Sequence, residues 1–219
     1  MKKFSTIIIT AIFSLHVLTL SGQAESAKPG FTAWYDLMSL LGDQVSNSTG
    51  IGIGAEVATW PGQGLEAGLM YIFHCASCGK PYTSITTDDM RGYRISAAYR
   101  FYVFQSKTPM SGFHLGPAAE YQHTAYEMDE TYGGGIPNTY RVYRNLVAAH
   151  AMAGYRIRVA GPLYFDPELG LGIRYISSRN EGKMGAGPGQ HEFLYNKDFE
   201  SGAQWFPSIQ ASIKIGFKL

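Results

Sequence analysis

Beyond its first twenty residues, this 219-residue chain has no apolar run long enough to form a membrane-crossing helix. It has only two cysteines, too few for a disulfide scaffold or a four-cysteine metal site. Charged residues make up 16% of the chain and nearly cancel to +1, so the balance gives no reason to expect nucleic acid or another polyanion as partner. The Ala/Leu/Glu/Lys blend of helical proteins is also thin. In its place stand 26 Gly, 15 Tyr and 12 Phe, the residues of turns and strands.

The start of the chain has a different composition. Lys2 and Lys3 precede an apolar run from Phe4 to Leu20, interrupted only by Ser, Thr and His16, and Gly22-Gln23-Ala24 follows with the small-x-small pattern of a cleavage site. Residues 1–24 therefore read as a secretory signal peptide, and residues 25–219 as a single exported domain. No cysteine stands at the end of the run to carry a lipid anchor.

Within that domain the charges obey a parity rule. Eight segments read as strands: 31–40, 51–60, 65–74, 93–104, 113–126, 143–159, 163–177 and 204–218. Every charged residue inside them is even-numbered: Asp36, Glu56, Glu66, Arg94, Arg100, Glu120, Arg144, Arg156, Arg158, Asp166, Glu168, Arg174, Lys214 and Lys218. Arg91 and Arg141 fall just outside. The odd positions are apolar, aromatic or small, as in Leu163, Phe165, Leu169, Leu171, Ile173 and Tyr175. Because strand side chains alternate between faces, this separates a polar surface from an apolar one. The even face also carries Trp34, Met70, Ile72, Tyr102 and Phe104, an unusual mixture for a surface open to water.

The expected fold is all-β: an eight-stranded, antiparallel, up-and-down transmembrane β-barrel with a polar, filled interior. Its connections alternate in length. The tight ones are Pro61-Gly62-Gln63-Gly64, residues 105–112 and Ala160-Gly161-Pro162; the longer ones are 75–92, 127–142 and 178–203. Short turns on the periplasmic side and long loops outside is the pattern of outer-membrane barrels. Tyr143, Tyr155, Tyr175, Trp205 and Phe217 suit interfacial girdles. The alternative is a secreted soluble ligand-binding barrel with the odd face as its core.

A barrel of this size is just wide enough for side chains to fill. Asp36, Glu56, Glu66, Glu120, Asp166 and Glu168 against Arg94, Arg100, Arg156, Arg158, Arg174 and Lys214 give the makings of a luminal charge network, since unpaired buried charge is costly. The result is a plugged barrel rather than a channel. His74, His114 and His150 share the inward parity and read as structural histidines. Cys75-Ala76-Ser77-Cys78 lacks the partners of a zinc site and the βαβ setting of a redox motif. In an oxidising compartment it reads as a local disulfide bracing the second external loop. Gly185 to Gly189 does not join a strand to a helix and is read as loop, not as a phosphate cradle. Nothing points to a cofactor, a metal or a catalytic group.

The stretch Ala98-Tyr99-Arg100-Phe101-Tyr102-Val103-Phe104, followed by Pro109-Met110-Ser111-Gly112-Phe113-His114-Leu115-Gly116-Pro117, resembles an uncharacterised branch of the small eight-stranded outer-membrane barrels of Gram-negative bacteria. The chain ends Phe217-Lys218-Leu219, without the terminal aromatic common there. The resemblance implies residence in the outer membrane among its lipids and lipopolysaccharide, insertion by the barrel-assembly machinery, and a structural or surface-interaction role through the external loops. A second likeness is to outer-membrane lipid A deacylases, whose motif is R-x-x-H-x-S-N. Arg174 and Asn180 match it, but Ser177 stands in the histidine position and Arg179 in the serine position. A lipid A or phospholipid-modifying enzyme is therefore the alternative function, with a small-solute pore behind it.

Overall fold

The computed structural model describes residues 30–41, 49–73, 86–103, 110–132, 136–182 and 202–219. The signal segment and Cys75 and Cys78 lie outside them. Among the described residues eight strands run β1 (Phe31–Asp36), β2 (Thr49–Trp60), β3 (Gln63–Phe73), β4 (Thr86–Tyr102), β5 (Gly112–Tyr132), β6 (Ile136–Ala160), β7 (Leu163–Glu181) and β8 (Gly202–Lys218), with one helical turn, α1 (Met38–Leu41). Each strand pairs antiparallel with the next, and β1 pairs with β8 from Thr32↔Lys218 to Asp36↔Lys214, closing the barrel. Closure removes the sheet edges that an open β-protein must otherwise protect.

Several boundaries differ from the sequence reading. β1 stops at Asp36 instead of running to residue 40, because the Asp36 carboxylate accepts from Met38 N at 3.0 Å and Ser39 Oγ donates to the Asp36 carbonyl at 2.6 Å, turning the chain into α1. β4 begins at Thr86, inside what reads as loop 75–92. The loop expected at 127–142 is mostly a continuation of the β5–β6 hairpin, paired out to Tyr132↔Ile136. In these extensions Asp89, Arg91, Glu127, Asp129, Thr139 and Arg141 are exposed while Met90, Tyr140 and Val142 are buried, so the polar-in, apolar-out pattern reverses there although the backbone ladder continues.

The turns at the other end are tight. Pro61-Gly62 joins β2 to β3 with Gly62 at φ +74°, a left-handed conformation that a side chain resists. Gly161-Pro162 joins β6 to β7, with a register shift between Arg158 and Ala160 that bends the strand at the rim.

The odd-numbered face points outward. Ile51, Ile53, Leu65, Leu69, Ile95, Val147, Leu169, Leu171, Ile173 and Ile209 are all exposed and form a belt around the barrel. Tyr71, Tyr93, Tyr121 and Trp205 border it toward the long-loop end; Trp60, Tyr155 and Phe217 border it toward the short turns. Tyr175 packs on Trp205 at 5.1 Å, and Arg179 lies over the Tyr143 ring at 5.2 Å. Among the described residues, odd-numbered charges begin only above this belt. There Arg91 pairs with Asp89 at 2.7 Å, Arg179 pairs with Glu181 at 2.9 Å, and Arg141 approaches Asp89 and Glu127 at 3.8 and 3.9 Å. The parity rule therefore describes the belt, not the full strand length.

Candidate functional site: a layered lumen

Even-numbered side chains fill the lumen in layers. Toward the long-loop end Met70, Ile72, Met90, Tyr126, Tyr140 and Val142 form one buried apolar cluster, and Leu146, Ala148, Ile176 and Phe206 another, with Thr124, Asn138, Arg144 and Ser178 buried on the same strand segments. This explains Met70 and Ile72 on a nominally polar face, because they occlude the barrel. Beside these clusters, on strand positions directly opposite Met70 and Leu146, Arg94 donates to Gln122 Oε1 at 2.9 Å and stands 3.9 Å from Glu120. His150 Nε2 and Ser208 Oγ are 2.8 Å apart in the same region, and the Arg174 guanidinium lies over the Phe206 ring at 5.7 Å.

The densest chemistry sits toward the short turns. Arg100, on β4, donates from Nη1 to Glu56 Oε2 at 2.8 Å and to Asp166 Oδ2 at 3.2 Å, while Nη2 pairs with Glu66 and Glu168. Lys214 bridges Glu66 at 2.6 Å and Glu168 at 2.5 Å. Arg156 donates from Nε to Asp166 at 2.9 Å and from Nη2 to Glu56 at 2.6 Å. Tyr102 donates its hydroxyl to Glu56 Oε1 at 2.9 Å. His114 Nε2 lies 2.9 Å from Asp166 Oδ1 and 3.6 Å from Glu168 Oε1; with a carboxylate opposite, that nitrogen carries the proton.

Several strands contribute because the barrel is narrow enough for their side chains to meet across it. Small residues make the room. A Cβ at Gly64 would collide with Glu56 Oε1, and one at Gly54 would collide with the Trp34 ring, which fills the lumen beside the cluster. Lys214 Nζ in turn sits 4.7 Å from the centre of that ring.

Of the twelve charged residues expected in a luminal network, Glu56, Glu66, Arg100, Arg156, Asp166, Glu168 and Lys214 lie in this cluster, and Arg94 and Glu120 meet in the layer above. Asp36, cross-strand partner of Lys214, divides its role by capping α1. Arg174 is buried, but against Phe206 rather than in the cluster. Arg158 is a correction: it is exposed at the rim, where its Nε donates to the Gly161 carbonyl at 2.7 Å. It lies two residues beyond Arg156, past the end of the closed lumen. His114 and Tyr102 join the cluster although only parity pointed to them, since the strands that carry their partners are remote in sequence.

His114, Asp166 and Glu168 offer ligand atoms within 4.8 Å of one another. Arg100, Arg156 and Lys214 already occupy these carboxylates, and their charge opposes a metal ion there. The deacylase-like segment gives no nucleophile pair. Ser177 points outward between Asn145 and Ala203, while Ser178 is buried between Arg144 and Gly202. Neither has a histidine as cross-strand neighbour. The outward His123 is oriented by Asn145 Oδ1 at 2.8 Å, with Asn145 standing between it and Ser177 in the register.

No family model and no curated protein matches the chain. Among solved structures it is similar to a major outer membrane protein from Thermus thermophilus, at 9% identity and a TM-score of 0.43, over 88% of this chain and 100% of that one.

Proposed function

We propose that the chain is an integral outer-membrane β-barrel of a Gram-negative cell, exported by its signal peptide, with a plugged lumen and no enzymatic activity. Its long-loop end would face outward for a structural or surface-interaction role. The observation that carries this is the outward belt. Leu171, Ile173 and Ile209 are 61%, 55% and 60% exposed, and a soluble barrel does not leave a continuous ring of such residues in water. A lipid environment turns that exposure from a liability into stabilisation. Lipopolysaccharide and phospholipid would be its solvent, and the barrel-assembly machinery its insertion route.

The soluble alternative needs the odd face as core, whereas the core is on the even face. A pore is disfavoured by the buried apolar clusters and the ion-pair cluster that fill the lumen. A deacylase would need a base beside Ser177 or Ser178, and their cross-strand neighbours provide none.

Electrophoretic mobility of the outer-membrane fraction tests the reading. Faster migration before boiling than after is expected of a compact barrel in the membrane. Recovery in the soluble periplasm without a shift would sink the proposal. An altered lipid A mass profile on overexpression, lost on Ser177→Ala, would instead revive the enzyme.

A further inference from the structure

At the short-turn end the lumen opens into a pocket of about 520 Å³, within the range of small-molecule sites. We infer that this pocket is a binding site for a small organic oxyanion, such as a phosphate monoester. Four features support this, and the pocket is present whatever surrounds the barrel.

First, the charge is of one sign. Among the described residues, Arg156, Arg158 and Lys218 are the ionisable side chains of the lining, apart from the phenol of Tyr164, and none of these lining residues is acidic. The carboxylates of Glu56 and Asp166 lie deeper, held by Arg100 and Arg156. Second, the floor is closed. The Arg156 guanidinium is fixed by those two carboxylates and the Met110 carbonyl and stacked 4.3 Å from the centre of the Tyr164 ring, so the inner end of the pocket is walled off by a side chain that cannot swing aside. A dead-end pocket binds; it does not conduct.

Third, buried hydroxyls are available. Thr32 and Tyr164 are 1% and 4% exposed, both line the pocket, and neither hydroxyl has a hydrogen-bond partner of good geometry. They lie close enough to interact, but two hydroxyls bonded to each other still leave one donor over. A buried donor without an acceptor is costly, and an incoming oxyanion would satisfy it. The register accounts for their meeting. Arg158 is directly opposite Tyr164 and Thr32 is directly opposite Lys218, while Gly216 between the two pairs has no side chain to block the Tyr164 ring. Fourth, Met110 and Pro162 give the pocket an apolar wall, which suits the organic body of a ligand better than a bare inorganic ion.

Arg158 then has a role that the charge network does not give it. Its Nε is held by the Gly161 carbonyl, which aims the guanidinium and leaves its two Nη groups to face a ligand. A bidentate guanidinium–oxyanion contact is the strongest single interaction such a site can make.

The test is titration calorimetry on the folded protein in a neutral detergent, with phenyl phosphate, inorganic phosphate and uncharged benzyl alcohol as probes. Phenyl phosphate is expected to bind saturably and more tightly than inorganic phosphate, with benzyl alcohol silent. Arg158→Gln should weaken phenyl phosphate about tenfold, as expected for loss of a charge-assisted contact. Arg158 is exposed, so this variant should retain the unboiled mobility of the folded barrel. Tyr164→Phe, which removes only the hydroxyl, should weaken it several-fold. Absence of saturable phenyl phosphate binding, or binding unchanged in folded Arg158→Gln, would overturn the assignment.

Discussion

Replacing Arg100 by methionine removes the cation that touches all four carboxylates of the cluster, Glu56, Glu66, Asp166 and Glu168. Methionine preserves much of the aliphatic length, so the change is mainly electrostatic. Arg156 and Lys214 remain, each already bridging two of the same acids. Breaking a buried ion pair by removing one partner costs about 3–5 kcal/mol, because the other partner is left as uncompensated charge. With a urea slope of about 2 kcal/mol per M, the unfolding midpoint should fall by about 1.5–2.5 M. The assay is equilibrium urea unfolding in lipid vesicles, followed by tryptophan fluorescence, with Trp34 reporting the lumen beside Lys214. Arg100→Lys should fall between wild type and the methionine variant, since one ammonium keeps the charge but cannot reproduce the two-armed contact with four acids. A midpoint within about 0.5 M of wild type for Arg100→Met, a shift far below the expected range, would refute the cluster as a stabilising plug.

Leu171→Arg, on the exposed belt, should lower barrel stability in vesicles by about 2–4 kcal/mol, while Glu181→Arg above the belt should cost about 0–1 kcal/mol. Equal folded yields for the two would argue against lipid contact at Leu171. Gly54→Ala places a methyl against the Trp34 ring and the Ala67 carbonyl and should cost about 1–3 kcal/mol, with a change in tryptophan emission; an unchanged spectrum and midpoint would contradict the packing described. A maleimide that adds mass only after reduction would establish the disulfide proposed between Cys75 and Cys78, and labelling without reductant would rule it out. Planar-bilayer recordings of the wild-type barrel should show no discrete conductance, because the buried cluster of Met70, Ile72, Tyr126 and Val142 and the ion-pair cluster of Arg100 and its carboxylates both fill the lumen; stepwise currents would reject the plug.

Much of what depends on near neighbours was legible in the chain alone, the Asp36 turn that ends β1 excepted. A period of two is a property of one strand, so parity separates Leu169, Leu171 and Ile173 from Glu168 and Arg174 without knowledge of any partner. Turn chemistry is equally local, and Pro61-Gly62 and Gly161-Pro162 stand where the chain reverses. Which inward side chains meet depends instead on closure of the sheet. His114 and Asp166 are 52 residues apart and sit on strands separated by β6, so their 2.9 Å contact depends on how the barrel staggers. Parity likewise cannot say how far along the axis an even residue lies. Arg156 and Arg158 share a face, but one is sealed in the cluster and the other stands at the rim. The long β5–β6 hairpin was hidden because above the belt the faces invert, with Glu127, Thr139 and Arg141 exposed and Tyr140 and Val142 buried, the reverse of the apolar-out pattern that marks the strands below. Alternation reports the medium on each side of a strand; the closed barrel sets which charges share the lumen and at what depth.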